Sequence, residues 1–238
     1  MRLRVASYNL RALQDDVAAL ARTVRAIDPD VLCLQEVPWI GPTNHRISGF
    51  AERCGLVWSG RALRAGQTSV LTSLRTNVLS VTHERLPWQT RRDRRGFAMA
   101  RVAPFGHTPI AVASVHLSLD AAERARHADR IMSALTALPG PALLAGDLNE
   151  QSDGDAWQLI GRSMRPVSPL APTFPVGRPD RVLDVVFATP DVRVLPHGDV
   201  PLVEEDLRAG TDHRPVWVDL DLTGTATPDG GPVPDGQG

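Results

Sequence analysis

The sequence predicts an α/β fold of two packed β-sheets flanked by helices. Three observations carry this: short strand-like runs recur along the whole chain, only two segments have clear helical periodicity, and 238 residues suffice to bury a core between two sheets in one domain.

The elements follow in order. Around Leu3 to Ser7, "MRLRVASYNL" alternates charged and apolar residues as a strand does. Val17, Leu20, Ala21, Val24 and Ile27 then form a helical stripe, with Arg22 and Arg25 on other faces, and the pattern stops at Asp28-Pro29-Asp30. Strand-like runs follow at Val31 to Gln35, Ser69 to Ser73, Val78 to Thr82, Phe97 to Val102 and Ile110 to Val115. A second helix is expected from Asp120 to Leu138, opened by Asp120 with Glu123 three residues on, striped by Ile131, Met132 and Leu135, and closed by Pro139-Gly140. Its Arg124, Arg126 and Arg130 read as a solvated face. Leu143 to Ala145, Val182 to Ala188 and Pro215 to Leu222 complete the strands. Between Gly161 and Asp180 the chain is Pro-rich and aperiodic, a rim loop over a site or else a surface excursion. From Thr223 the residues are Gly, Pro and Thr with little apolar bulk, so the expected organisation is one domain over 1–222 and a disordered tail over 223–238.

Composition excludes several classes. The 26 basic and 27 acidic residues nearly cancel, leaving no global field to recruit nucleic acid or an anionic membrane. Every basic residue is Arg and none is Lys, which discounts any single Arg as a phosphate signal. Cys33 and Cys54 suit reduced, packed thiols rather than a disulfide framework. The amino end lacks an apolar signal core and no run approaches membrane-spanning length, so a cytoplasmic protein is expected. The five Trp, at 39, 58, 88, 157 and 217, lack periodic placement beside the polar motifs and read as core or rim packing.

Polar residues gather at strand ends. Asn9, Glu36, His116 and Asp147 each close a strand-like run, and ligands collect beyond the carboxyl ends of strands in open α/β sheets. In "PALLAGDLNEQSD", Asp147 and Asn149 would face one way if the chain stayed extended; the alternative is a plain turn, with Ser152 and Asp155 as a helix N-cap. Asp184, Asp212 and His213 fall at or near strand beginnings, so their strands must run opposite to the earlier ones for a single rim to receive them. Glu36, Asp147 and Asp212 offer carboxylate oxygens and Asn9 and Asn149 neutral ones, an all-oxygen set suited to Mg²⁺ or Mn²⁺ rather than zinc. Asp184 in an apolar strand needs a partner, and His213 is suited to form with it an acid/base or phosphate-binding dyad. No Gly-x-Ser-x-Gly elbow and no Gly-rich phosphate loop is present.

The segments "SYNL", "DVLCLQEV", "VHL", "GDLN", "LDVVF" and "TDHRPV", in this order from Ser7 to Val216, resemble the endonuclease/exonuclease/phosphatase superfamily, the deoxyribonuclease I-like fold. The resemblance implies a four-layer α/β sandwich of metal-dependent phosphoesterases. It implies Glu36 as principal metal ligand, helped by Asn9 and Asp212. Asp147 would orient or deprotonate the attacking water, and Asn149 and His116 would hold phosphoryl oxygens. His213, oriented by Asp184, would bind the phosphate or act as the acid/base group. Two departures stand out. Thr211 replaces the usual Ser before the Asp-His pair, and Val182 occupies the place of an Arg two residues before the strand Asp, which leaves Arg181 without an assigned role. Arg95-Gly96 resembles a family segment near the site; its neighbours Arg91, Arg92 and Arg94 either grip a substrate phosphate or form a solvated loop.

The resemblance leaves the phosphoester open: nucleic acid, a lipid headgroup such as sphingomyelin, or an inositol-phosphate-like monoester. Balanced charge tilts it toward a small or locally gripped phosphoester, and hydrolysis of a phosphodiester is expected, with a phosphomonoester as the alternative. A monomer is expected, and the alternative class is a non-catalytic binding protein that kept the fold.

Overall fold

The structure, a computed structural model, describes residues 1–59, 66–87 and 95–222. Trp88, Arg91, Arg92, Arg94 and the segment 223–238 lie outside the described residues.

In chain order the elements are β1 (Arg2–Asn9), α1 (Val17–Ile27), β2 (Val31–Gln35), α2 (Thr43–Cys54), β3 (Val57–Trp58), β4 (Ser69–Thr72), β5 (Thr76–Arg85), β6 (Gly96–Pro104), β7 (Ile110–His116), α3 (Ala121–Thr136), β8 (Ala142–Asp147), α4 (Asp155–Ile160), β9 (Arg165–Pro166), β10 (Asp184–Ala188), α5 (Glu204–Gly210) and β11 (Val216–Asp221). They form two mixed sheets, ordered β11-β1-β2-β4-β3 and β5-β6-β7-β8-β10-β9.

Period-two alternation builds the layers. Leu3, Val5 and Cys33 of the first sheet meet Ala98, Val112, Leu143 and Val186 of the second in a middle core. The residues between them point outward: Ala6, Tyr8 and Leu34 pack on Leu20, Val24 and Phe50 of α1 and α2. On the other side Ala113, Leu144 and Phe187 pack on Ile131, Leu135 and Trp157 of α3 and α4. Helix, sheet, sheet and helix therefore stack in four layers, as the sequence predicts.

Both predicted helices form. Asp16 caps α1 by accepting from Ala18 and Ala19 N–H, and Asp28 ends it in the left-handed region at φ 50°. Asp120 caps α3 by accepting from Glu123 N–H. Three further helices, α2, α4 and α5, carry no clear helical period in the sequence. In α2 the buried face is only Thr43, Ile47, Phe50, Ala51 and Cys54, interrupted by exposed polar residues. Residues Val182 and Leu183 were expected in a strand but precede β10: Leu183 C=O accepts from Leu148 N–H, and Leu183 N–H donates to Thr173 Oγ1. The α3 arginines also divide. Arg126 and Arg130 are exposed, whereas the Arg124 side chain is 14% exposed and bonded to Glu150, so it does not belong to a solvated face. Cys33 and Cys54 are free and buried. Trp157 packs edge-on against Phe187, Trp217 stacks on His197, and Trp58 Nε1 donates to Ser69 Oγ. Among the described residues no helix is long and apolar enough to cross a membrane.

Two buried polar contacts pin the sheets. Ser7 Oγ donates to Gln35 Oε1, Gln35 Nε2 to Ser114 Oγ, and Ser114 Oγ to Leu34 C=O, which ties the first sheet to the second. Toward the other end, Arg4 makes a two-pronged pair with Asp219, at 2.7 and 2.8 Å, with both side chains under 10% exposed. Burial alone would raise the Asp219 carboxyl, but the Arg4 hydrogen bonds win and hold it below the ordinary carboxylate range. Its stabilisation is therefore complete above the unfolded carboxylate pKa and lost as pH falls through the folded value. Asp219→Asn, which strands Arg4, is expected to cost about 3–5 kcal/mol at neutral pH and to flatten the acid side of the stability curve in urea melts.

Candidate active site

β1 runs parallel to β2 and β7 parallel to β8, while β11 and β10 run antiparallel to β1 and β8. The carboxyl ends of the first four and the amino ends of the last two thus share one edge, as the expected strand reversal requires. Asn9, His116 and Asp147 are the last residues of their strands, Glu36 follows β2, and Asp184 opens β10. Asp212 and His213 lie between α5 and β11.

Asp147 is the centre. Its carboxylate, 1% exposed, takes a hydrogen bond from Asn9 Nδ2 at 3.1 Å on Oδ2 and from the Asn149 N–H at 2.9 Å on Oδ1. His116 Nε2 and His213 Nε2 stand 3.4 and 3.7 Å from Oδ2. Gly146 before it lies on Val115, where any Cβ would run into the Val115 carbonyl, so only Gly lets β8 approach β7 this closely. The strand ends at Asp147, and Asn149 sits at φ 49°. The two residues are brought together by a side-chain-capped turn, not by an extended chain: the turn and the paired oxygens are one feature. The adjoining helix begins after Gly154 with no side-chain cap, so Ser152 does not cap it.

The other residues assemble around this carboxylate. Asn9 Nδ2 also donates to Glu36 Oε1 at 3.2 Å, which brings Glu36 and Asp147 to one amide. Asp212 joins through Thr211, whose hydroxyl donates to Asn9 C=O at 2.9 Å, and through Arg11, whose Nε is 3.5 Å from Asp212 Oδ2. Asn149 Nδ2 bonds His116 Nε2 and Leu117 C=O, each at 3.0 Å. Asp184 Oδ2 meets His213 Nδ1 at 2.8 Å. All eight predicted residues therefore belong to one connected cluster. Glu36, Asn149 and the Arg11–Leu13 turn all carry positive φ without glycine, a concentration of backbone strain at one rim.

Electrostatics divide the titratable groups. Burial raises the Asp147 carboxyl, and the neighbouring Asp184 charge adds to it, while His213 and the Asn149 and Asn9 hydrogen bonds restrain the rise. Burial alone would lower His213, but Asp184 by charge and hydrogen bond, then Asp147 and Asp212, carry it up to about 9. His116 goes the other way: burial, then the charges of Arg95 and His213, push it well below its ordinary value. The site thus pairs a neutral imidazole with an imidazolium.

Other contributors carried a faint signal in the sequence: Arg95 through the resemblance of Arg95-Gly96 to a family segment near the site, and the Pro-rich stretch through its length. Arg95 Nη1 is 2.8 Å from His116 Nδ1 and 3.0 Å from Nε2, near-equal distances that place the guanidinium over the ring face. The Pro-rich loop is a rim loop: Phe174 lies 4.7 Å from the His213 ring, Arg181 covers Phe174 at 4.6 Å, and Thr173 Oγ1 accepts from the Asp184 N–H. These contacts join residues far apart in sequence, and only the looseness of that loop hinted at them. A cleft of about 520 Å³ opens beside Asn149, between Leu119 and Arg181.

Two sets of donors suit a cation. Asp147, Asp184 and His213 offer ligand atoms within 4.8 Å of one another, with His213 Nδ1 bonded to Asp184 Oδ2. The second set is the one the resemblance implies, Glu36, Asn9 and Asp212: Asn9 Nδ2 donates to Glu36, Asn9 Oδ1 accepts from the Arg11 N–H at 3.0 Å, and Arg11 Nε faces Asp212.

The model of the Endonuclease/Exonuclease/phosphatase family matches residues 6–213. No curated protein matches. Among solved structures, an endonuclease/exonuclease/phosphatase from Bacteroides vulgatus is similar at 18% identity and TM-score 0.75, over 93% of this chain and 99% of that one. A mannosyl-6-phosphatase from Bacteroides thetaiotaomicron is similar at 17% identity and TM-score 0.72, over 92% and 99%. D. rerio TDP2, complexed with a single strand DNA product, is similar at 17% identity and TM-score 0.68, over 92% and 99%.

Proposed function

Because the chain belongs to the endonuclease/exonuclease/phosphatase family, whose members are hydrolytic phosphoesterases, we propose that it hydrolyses a phosphodiester by in-line attack of water, with a divalent cation, Mg²⁺ or Mn²⁺, as cofactor. The observation that carries this reading is the Asp147 carboxylate, desolvated and surrounded by Asn9, Asn149, His116 and His213.

Asp147 orients the attacking water and takes its proton, a role its raised pKa suits. His116, neutral, and Asn149 hold phosphoryl oxygens. His213, charged and steadied by Asp184, faces the phosphate and stabilises the charge that develops there. Glu36, Asn9 and Asp212 would hold the cation: each carries a side-chain oxygen, the donor type a hard ion takes, and Asn9 stands beside Glu36. When bound, it supplies charge stabilisation at the leaving oxygen.

A net charge of -1 supports a small or locally gripped diester over duplex DNA. Similarity to a mannosyl-6-phosphatase supports a second reading, a phosphomonoesterase using the same groups, and p-nitrophenyl phosphate set beside its bis ester separates the two. Metal titration of bis-p-nitrophenyl phosphate hydrolysis tests the cation assignment. Glu36→Gln is expected to raise the Mg²⁺ concentration for half-maximal rate by at least about 10-fold, since even outer partners of metal ligands cost that much. An unchanged midpoint would remove Glu36 from the metal site.

A further inference from the structure

Arg124 sits in the first turn of α3, where a cation opposes the helix dipole. Its bonds run away from the helix. Nε donates to Glu150 Oε2 at 2.7 Å, and Nη1 donates to Ser118 C=O at 3.2 Å and Leu119 C=O at 2.8 Å. Glu150 is 8% exposed, and its other oxygen accepts from the Trp157 N–H of α4 at 2.9 Å. Ser118 and Leu119 belong to the loop that leaves His116; Glu150 belongs to the loop that carries Asn149. Gly154 makes room for this arrangement: a Cβ there would run into the end of the Glu150 side chain, although its φ of -82° suits any residue.

We propose that Arg124 and Glu150 form a positioning latch that locks the loop after β7 to the loop after β8, and so fixes Asn149 against His116 for transition-state binding. The pair lines the cleft beside Asn149, and its bonds run to Ser118, Leu119 and Trp157 rather than to His116, Asp147 or Asn149. Its effect passes through Asn149, whose left-handed backbone and two side-chain bonds to His116 and Leu117 depend on the spacing of these loops. This inference rests on the assignment of His116 and Asn149 to the phosphoryl oxygens.

Two independent substitutions disturb the latch: Arg124→Met removes the fork, and Gly154→Ala displaces Glu150. With bis-p-nitrophenyl phosphate and Mg²⁺, each is expected to lower kcat by about 10- to 100-fold with KM little changed, as loosening of a positioned group does. Arg124→Lys, lacking the planar fork, recovers only part, and the double variant falls no further than the worse single one because both act on one latch. Arg126→Met, on the exposed face of the same helix, keeps the wild-type rate. Amide exchange supplies a readout independent of turnover: in Arg124→Met the Leu117 and Asn149 amides exchange faster, while those of β7 and β8 keep their protection. Unchanged exchange at these amides overturns the latch. Faster exchange with wild-type kcat overturns its catalytic role. A wild-type protein that hydrolyses no phosphoester overturns the phosphoesterase reading and that role together, with exchange still deciding the latch.

Discussion

Asp147→Asn is expected to lower kcat by about 10³-fold, the usual contribution of a positioned general base, while the protein melts at the same temperature or higher. The second half of this expectation distinguishes it from a folding defect. The carboxylate is desolvated beside Asp184, so the folded protein holds its charge at a cost, and an uncharged amide of the same shape relieves that cost. The amide keeps the oxygen that accepts from the Asn149 N–H, and Asn9 Nδ2, which loses the other, retains Glu36 Oε1 as acceptor. Thermal melts and steady-state kinetics on one preparation check both halves. A large fall in melting temperature would mean that Asp147 is chiefly structural.

His213→Ala is expected to lose turnover by about 10²- to 10⁴-fold, and here stability falls as well. Asp184 is fully buried, and among the described residues its Oδ1 has no hydrogen-bond partner, so His213 supplies its compensation. Removing the imidazolium strands that carboxylate at about 3–5 kcal/mol. Pairing His213→Gln with Asp184→Asn should restore much of the stability and none of the rate. Restored turnover in the double variant would show that the imidazolium charge is not needed.

Much of this arrangement was legible because each polar group ends an apolar run. Asn9, Glu36, His116 and Asp147 follow buried strands in which every second residue faces a helix or the opposite sheet, and the change to a polar residue marks where burial stops. Strand direction was legible from chemistry alone: Asp184 and His213 reach the same rim only if β10 and β11 run backwards, and they do. What stayed hidden depends on contacts or on short elements. The α4 and α5 helices bury too few residues to set a period. Arg124 has the spacing of a surface residue until Glu150 folds beneath it. Phe174, in an aperiodic stretch, meets His213 across nearly forty residues of chain. At Asn149 the extended reading pairs it with Asp147, but backbone φ, set by the turn, decides how they meet.

The central claim is metal-dependent phosphoester hydrolysis centred on Asp147. Its most direct test is parallel hydrolysis of bis-p-nitrophenyl phosphate, p-nitrophenyl phosphate, p-nitrophenylphosphorylcholine and plasmid DNA by wild-type protein and Asp147→Asn, with Mg²⁺, Mn²⁺ or chelator. The expected result is hydrolysis of at least one diester that needs the cation, stops with chelator and is lost in the variant. Hydrolysis indifferent to chelator, or equal in the two proteins, would contradict the account, and silence on all four substrates would favour a binding protein built on the same fold.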